Sequence, residues 1–265
     1  MKSLLVASIT AIALPVLVAH GASAQETKTT GSDTWTEIGA YGFAAAVSGD
    51  TTISNVKTEV DVPFSDILEN LDLAAMAFIE HRRGKWSFVG DLFYAAISVD
   101  DTIARNPITS VRLDAELKQL MTEVFVGYRV FEQDRGDALL GIDVLGGVRY
   151  NSLEVDLGVQ VTLLGLTAAA SRNRTEDWAD GVVAVRAQYG GSRGWGATGW
   201  ADIGKGSDSS SYQLAGFVNY RFQNNVNLFG GYRHWSFKWE DGSGASFVEL
   251  DLEFSGPMFG ASYRF

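Results

Sequence analysis

From Trp35 to the C-terminus, the side chains alternate between two chemical characters with a period of two residues. In the segment 212–222, Tyr, Leu, Gly, Val, Tyr and Phe alternate with Gln, Ala, Phe, Asn and Arg. The segments 86–94 and 140–151 show the same alternation. A period of two is typical of β-strands whose two faces meet different surroundings, and no helical period extends beyond about two turns. The sequence therefore predicts an all-β chain.

The alternating segments divide into ten candidate strands, joined by connections that are alternately short and long. The strands are expected near 35–48, 71–83, 85–99, 112–131, 138–150, 177–190, 194–204, 209–222, 226–239 and 247–265. Long connections are expected at 49–70, 100–111 and 151–176. Short turns at one end and long loops at the other are typical of membrane-spanning barrels. We predict a closed, antiparallel, up-and-down transmembrane β-barrel over 35–265, with ten strands and eight as the alternative.

One face of these strands carries large apolar side chains, and the other face carries isolated charges in mid-strand. A soluble secreted barrel would turn the charges outward, whereas a transmembrane barrel turns them into its lumen. Trp and Tyr near the strand ends favour the transmembrane barrel, because aromatic residues concentrate at membrane interfaces. We therefore predict a lumen charge network that consists of Glu80, Asp91, Glu123, Arg129, Asp143, Arg149, Arg186, Asp202, Arg221, Arg233 and Glu253.

The predicted lumen charges are balanced between carboxylates and arginines. An ion-selective pore tends to carry rings of one sign, whereas opposite charges in a narrow barrel pair and fill it. The sequence therefore favours a plugged lumen and a structural or surface-interaction role. A narrow channel for small solutes is the alternative.

The N-terminal segment has the features of a secretory signal. Lys2 precedes an apolar run over 4–18, and small residues at 22–24 form a cleavage pattern. We predict a signal peptide at 1–24 and a short periplasmic segment at 25–34. The formal net charge of −11 disfavours nucleic-acid binding. The lack of cysteine excludes disulfides and thiolate metal sites, and neither a metal nor another cofactor is expected.

The last ten residues, GPMFGASYRF, resemble the terminal strand of Gram-negative outer-membrane β-barrels. That resemblance implies that Phe259, Ala261, Tyr263 and Phe265 form a face read by the outer-membrane assembly machinery. The whole chain after the signal peptide resembles small barrels of the outer-membrane protein A and outer-membrane protein W kind. It therefore implies export to the bacterial outer membrane and contact with outer-membrane lipid and lipopolysaccharide. It names no protein partner and no activity.

The final strand contains a change of parity. Leu250, Leu252 and Phe254 occupy even positions, whereas Phe259 and Phe265 occupy odd ones. If all five shared the lipid-facing side, the register would have to slip by one residue between the two groups. The Gly-Pro pair at 256–257 suits a β-bulge, because proline cannot donate to the strand ladder. We therefore predict a bulge there.

One motif suggests chemistry. His234 and Ser236 are similar to the His-x-Ser element of outer-membrane lipid A deacylases, in which a His activates a Ser nucleophile. That resemblance implies that Glu249 on the next strand orients the His. Phe237 departs from the pattern, which has Asn there. A lipid A-modifying hydrolase is thus a second alternative to a barrel without enzymatic activity. Omptin proteases also have ten strands, but their Asp-His couple is not matched by any Asp-x-His here.

Overall fold

The computed structural model describes residues 34–53, 56–105, 109–136, 138–163, 166–191 and 193–265. The predicted signal peptide and all of the segment 25–34 except Thr34 lie outside these residues. The strands are β1 (Thr34–Phe43), β2 (Ala46–Ile53), β3 (Val56–Val62), β4 (Leu71–Arg83), β5 (Trp86–Arg105), β6 (Thr109–Asp134), β7 (Leu139–Leu163), β8 (Leu166–Gly190), β9 (Gly194–Lys205), β10 (Ser209–Arg221), β11 (Val226–Asp241) and β12 (Val248–Arg264). A short helix, α1 (Phe64–Glu69), joins β3 to β4. No helix in the described ranges is long and apolar enough to cross a membrane.

The strands form one antiparallel sheet that closes on itself. β4 to β12 pair in chain order, and β1 pairs with both β4 and β12. β2 continues along β12 in the register that β1 begins, so β1 and β2 together act as one barrel strand. β3 folds back on β2 as a hairpin. The prediction of a closed ten-stranded barrel is confirmed, and the alternative of eight strands is wrong.

The tight turns lie at one end of the barrel, which we call the short-turn end. The β4–β5 turn uses Gly84 with φ +58°, and the β10–β11 turn uses Asn225 with φ 65°, both in the left-handed region that tight turns require. The backbone N–H of Phe265 donates to the Thr36 carbonyl at 2.8 Å. The first and last described strands therefore meet at the short-turn end, as the sequence predicted.

The strands at the opposite end, the long-strand end, are longer than predicted. β6 contains 26 residues, and β7 and β8 contain 25 each. β7 pairs with β8 without a break from Leu139–Gly190 to Leu163–Leu166, so the expected loop at 151–176 is wrong. About 9–11 residues suffice to cross a membrane, so these strands continue beyond it.

The predicted β-bulge at 256–257 is also wrong. The β11–β12 register is constant from Val226–Tyr263 to Asp241–Val248, and it passes through Arg233–Gly256. Phe254 therefore faces the interior, where it stacks on the indole of Trp235 at 4.9 Å between ring centroids.

The two faces of the barrel wall exchange their chemical character along the strands instead. On the lower part of β12, Phe259 faces out with 62% exposure and Ser262 faces in. On the upper part, Leu250 is buried in the interior core, so Asp251 beside it faces out. β11 shows the same exchange. The half of the wall nearer the short-turn end, which we call the lower zone, thus suits lipid on its outside. The half nearer the long-strand end, the upper zone, has the apolar interior of a barrel that is surrounded by water.

Candidate functional site: the barrel lumen

A mouth cluster lies at the short-turn end of the lumen. Its centre is Glu37 on β1, whose carboxylate accepts from Arg221 and Arg264, each at 2.8 Å. Arg264 also lies over the ring of Trp35, with 3.8 Å from the guanidinium carbon to the ring centroid. Such a stacked guanidinium gains a cation–π attraction besides its ion pair. The cluster ties β1, β10 and β12 together where the sheet closes.

A wall cluster follows on the side formed by β4, β6, β7 and β8. Asp143 is fully buried and accepts from Arg82 at 2.6 Å, Arg129 at 2.7 Å and Arg186 at 2.8 Å. Glu80 accepts from the same Arg186 at 2.8 Å. Three guanidinium groups thus converge on the Asp143 carboxylate, and Glu80 and Glu132 supply the two further negative charges.

A ceiling cluster crosses the lumen between the charged zone and the apolar zone. Arg149 is fully buried and donates to Asp202 at 2.8 Å and to Glu123 at 2.6 Å. Next to them, the Nε of Arg233 donates to Gln213 at 2.7 Å. The hydroxyl of a tyrosine on β1, Tyr41, accepts from Arg233 Nη1 at 3.2 Å and donates to the Asp91 carboxylate at 2.8 Å. The residues joined by these bonds lie on seven strands around the lumen.

An aromatic plug fills the lumen above the ceiling cluster. Trp235 and Phe237 are each 1% exposed, and their rings lie 5.1 Å apart. Trp178 stacks on Trp239 at 5.7 Å between ring centroids and contacts Phe237 in a tilted arrangement at 5.2 Å. The plug also contains Phe43, Ala45, Phe93, Ala95, Met121, Leu153, Val248, Leu250 and Met258. Close packing of these side chains excludes water from the long-strand end of the lumen.

Below the ceiling cluster, the lumen holds a cavity of about 580 Å³. It is lined by Gly84 and Gly191 at the short turns and by Gln213 and Arg233 at the top, so it opens at the short-turn end. The ion pairs of the mouth and wall clusters line this cavity. The buried Arg149–Asp202 pair of the ceiling cluster and the aromatic plug lie above it.

The predicted charge residues mostly meet in the lumen. Those on the inner face are Glu80, Asp91, Glu123, Arg129, Asp143, Arg149, Arg186, Asp202, Arg221 and Arg233. Glu253 lies on the outer face instead, because it precedes the inward Phe254 in an unshifted strand. The sequence reasoning missed Glu37 and Arg82. Both could have been recognised from the sequence. Each lies near the end of a predicted strand, at a position whose side chain points into the lumen if the alternation is continued.

The predicted assembly face is located on the outside of the barrel. Phe259, Tyr263 and Phe265 are 62%, 44% and 68% exposed, and Ala261 lies between them on the same exposed side. The four residues therefore present one continuous apolar strip at the short-turn end of β12.

The residues of the possible deacylase motif do not form a relay. His234 bonds through Nδ1 to Ser255 at 2.5 Å and through Nε2 to Tyr212 at 2.9 Å. Glu249 pairs with Lys238 at 2.6 Å, and that hydrogen bond raises the pKa of the lysine. Both nitrogens of His234 are thus engaged by residues other than Ser236. Among the described residues, no group of three or more His, Asp or Glu could hold a metal ion.

Solved structures with a similar fold include outer-membrane barrels. The outer-membrane protease OmpT from Escherichia coli is 11% identical, with a TM-score of 0.44, over 91% of this chain and 100% of that chain. Ail, the attachment invasion locus protein of Yersinia pestis, is 10% identical, with a TM-score of 0.32, over 88% and 98%. Neisserial surface protein A is 13% identical, with a TM-score of 0.28, over 89% and 99%.

The strand pairing makes this chain a closed, antiparallel, ten-stranded β-barrel. No protein-family model matches it, and a search of curated proteins found no match. The ten-stranded closure and the inward charges are therefore properties that the pairing and burial of this chain establish directly.

Proposed function

We propose that this chain is a non-conducting outer-membrane protein with a structural or surface-interaction role. The observation that carries the proposal is the closure of the lumen by the aromatic plug directly above the ceiling cluster. The proposal is supported by the burial of Trp235 and Phe237, each 1% exposed, and by the buried Arg149–Asp202 pair below them. Paired charges and packed rings offer an ion no hydrated route.

The outer surface supports a location in the outer membrane. Exposed apolar side chains cover the lower zone on successive strands, including Val124, Val126, Val144, Val148, Val183, Val185, Leu214, Val218 and Leu228. Exposed aromatic rings edge this belt at the short-turn end: Trp86, Tyr128, Trp195, Tyr220, Tyr263 and Phe265. Lipid tolerates only structures whose backbone groups are all paired, and a closed barrel meets that demand. The proposed partners are therefore outer-membrane lipid and lipopolysaccharide at the belt and the assembly machinery at the C-terminal strip.

The long-strand end supports contact at the cell surface. On the axis side of the projecting strands, Val99, Leu117 and Val161 are 43%, 37% and 39% exposed. The outer side carries charged pairs such as Lys118–Glu154 at 3.2 Å. These three side chains lie on adjacent strands and offer an apolar surface for contact at this end of the barrel. Both features suit a barrel that acts through its projecting sheet.

Conductance tests the non-conducting state. We expect the refolded protein, inserted in planar lipid bilayers, to show no steady openings, because the plug leaves no water-filled path. Folding before insertion is checked by the change in gel mobility on heating. Steady openings of uniform size would support the alternative of a narrow solute channel and contradict this proposal.

Lipid A composition tests the absence of hydrolase activity. Expression of Ser236→Ala and of the unchanged chain should give the same lipid A acyl pattern by mass spectrometry, because His234 is held by Ser255 and Tyr212. A chain-dependent loss of an acyl group that disappears in the variant would instead establish the hydrolase.

A further inference from the structure

The sheet has two free edges at the long-strand end. β3 pairs with β2 along its whole length, and the strands of the described ranges give it no second partner. β5 pairs with β4 only as far as Leu71–Ile97, and beyond that pair it has β6 alone beside it in the described part of the chain. The barrel wall that is closed nearer the short-turn end therefore ends here in the unpaired edges of β3 and β5.

β5 is bonded to the end of α1 at the point where it leaves β4. The backbone N–H of Ser98 on β5 donates to the carbonyl of Asn70 at 3.0 Å, and the Ser98 hydroxyl donates to Asp72 at 2.5 Å. At the same point the β4–β5 register shifts, between Leu71 and Leu73. The described pairing thus leaves the backbone groups on the outer edge of β3 available.

The β3 edge is regular and weakly protected. Its pairing with β2 runs from Val47–Val62 to Ile53–Val56 without a bulge. Its single lysine, Lys57, reaches back to Asp50 on β2 at 2.8 Å. Proteins protect free edges with bulges, prolines and charged side chains, above all lysine. The charges left on this edge are acidic, so they discourage acidic partners and leave it open to basic ones.

β3 presents a different chemistry on each of its faces. Val62 lies opposite Val47, which lies opposite the inward Phe254, so the valines of β3 share the inner face. Val56 is 66% exposed, and Val60 lies opposite Gly49, which has no side chain to cover it. An added strand would therefore meet apolar side chains on its inner face.

The outer face of this part of the sheet is acidic. In the upper zone, pairing places seven carboxylates and two lysines of β11, β12, β2 and β3 on one surface: Glu240, Glu249, Asp251, Glu253, Asp50, Glu59 and Asp61, with Lys238 and Lys57. The lysines are already paired, with Glu249 at 2.6 Å and with Asp50 at 2.8 Å. The remaining negative charge attracts basic groups, whereas a second copy of this edge would bring two acidic faces together.

We propose that the free edge of β3 binds an extended segment of a partner protein in which apolar and basic residues alternate. The segment adds a strand to the sheet through backbone hydrogen bonds. Its apolar side chains cover Val56 and Val60, and its basic side chains pair with Glu59 and Asp61. This inference rests on the surface-interaction role in the proposed function and specifies the partner, but it does not require a closed lumen.

The test uses a heptapeptide of alternating lysine and valine, whose length matches that of β3. Fluorescence anisotropy of a neutral label on the peptide measures its binding to the full barrel in zwitterionic lipid nanodiscs, with empty nanodiscs as the blank. We expect saturable binding.

Two control peptides with the same side chains and charge should bind about tenfold or more weakly. In one, the order is shuffled so that the alternation is lost. The other is N-methylated at two adjacent central residues, which removes a backbone donor from each edge of the strand.

Two variants locate the site. Glu59→Lys reverses a charge in the middle of β3 and should weaken binding of the alternating peptide about tenfold or more. Glu154→Lys makes the same change of charge on the outer side of β7 and should alter binding by less than about twofold, because salt screens a charge so far from β3.

Absence of saturable binding, equal binding of either control peptide, or equal weakening by the two variants would each overturn the proposal. A stable dimer of the barrel in native mass spectrometry, with the peptide unbound, would assign the edge to a second copy and overturn it as well. Conductance is measured on the same preparation. A closed barrel that fails to bind the peptide overturns this inference alone, whereas steady openings with peptide binding overturn the non-conducting state alone.

Discussion

Substituting asparagine for Asp143 is expected to lower the free energy of unfolding of the barrel by about 3–5 kcal/mol. The side chain keeps its shape but loses the charge that three guanidinium groups share. Arg82, Arg129 and Arg186 would then face one another with two carboxylates left near them, Glu80 and the half-exposed Glu132, which lies 3.4 Å from Arg129. The three arginines are at most 6% exposed, so water screens the excess positive charge only weakly.

Unfolding by guanidinium chloride in detergent micelles measures this loss, with refolding checked for reversibility. Asp177→Asn is the matched control, because Asp177 is an exposed carboxylate on the same strand pair and accepts one hydrogen bond, from Tyr150 at 3.0 Å. The control should lose less than about 1 kcal/mol. Equal losses in the two variants would show that the wall cluster contributes no more than a surface contact.

The strands and the inward charges could be predicted from the sequence because both follow from a local pattern. A charge such as Arg149 in the middle of an apolar alternation must face away from lipid, whatever its partner is. The partners could not be predicted in the same way. Arg221 pairs with Glu37 across 184 residues, and only closure of the sheet brings β1 beside β12. Pairings of this kind depend on register and barrel diameter, which the alternation leaves open.

The incorrect predictions share one physical cause. The sequence analysis assumed that one parity faces lipid along each whole strand, but these strands are longer than a membrane crossing. Above the crossing, water lies outside, so apolar side chains turn inward and charges turn outward. Leu250 and Phe254 point into the lumen and Phe259 points out of the barrel, and all three apolar side chains thereby avoid water. The assumption produced a bulge that does not exist and placed Glu253 in the lumen.

The same inversion explains how one barrel contains both a polar cavity and a dry plug. In the proposed outer-membrane location, the lower zone has lipid outside, so polar groups can lie only in the lumen, where ion pairs and an open cavity coexist. The upper zone has water outside, so the lumen becomes the place to bury rings. A single change in the character of the inner face of β11, from Arg233 to Trp235, thus separates the polar cavity from the apolar plug.

Replacing Trp235 by alanine is expected to lower the free energy of unfolding by about 3–5 kcal/mol. The indole is 1% exposed and packs against Phe237 at 5.1 Å and Phe254 at 4.9 Å between ring centroids. Its removal leaves an apolar hole that the surrounding rings cannot fill without breaking their own contacts. Guanidinium unfolding in micelles measures the loss.

Trp195→Ala is the matched control, because Trp195 is 70% exposed on the outer belt and makes one ring contact, with Tyr220 at 5.2 Å. It should lose about 1 kcal/mol. A dry apolar cavity accepts a small aromatic guest, so indole added at millimolar concentration should raise the unfolding midpoint of Trp235→Ala and leave that of Trp195→Ala unchanged. If the two variants lost the same stability, or if indole stabilised both equally, the long-strand end would not hold a closely packed plug.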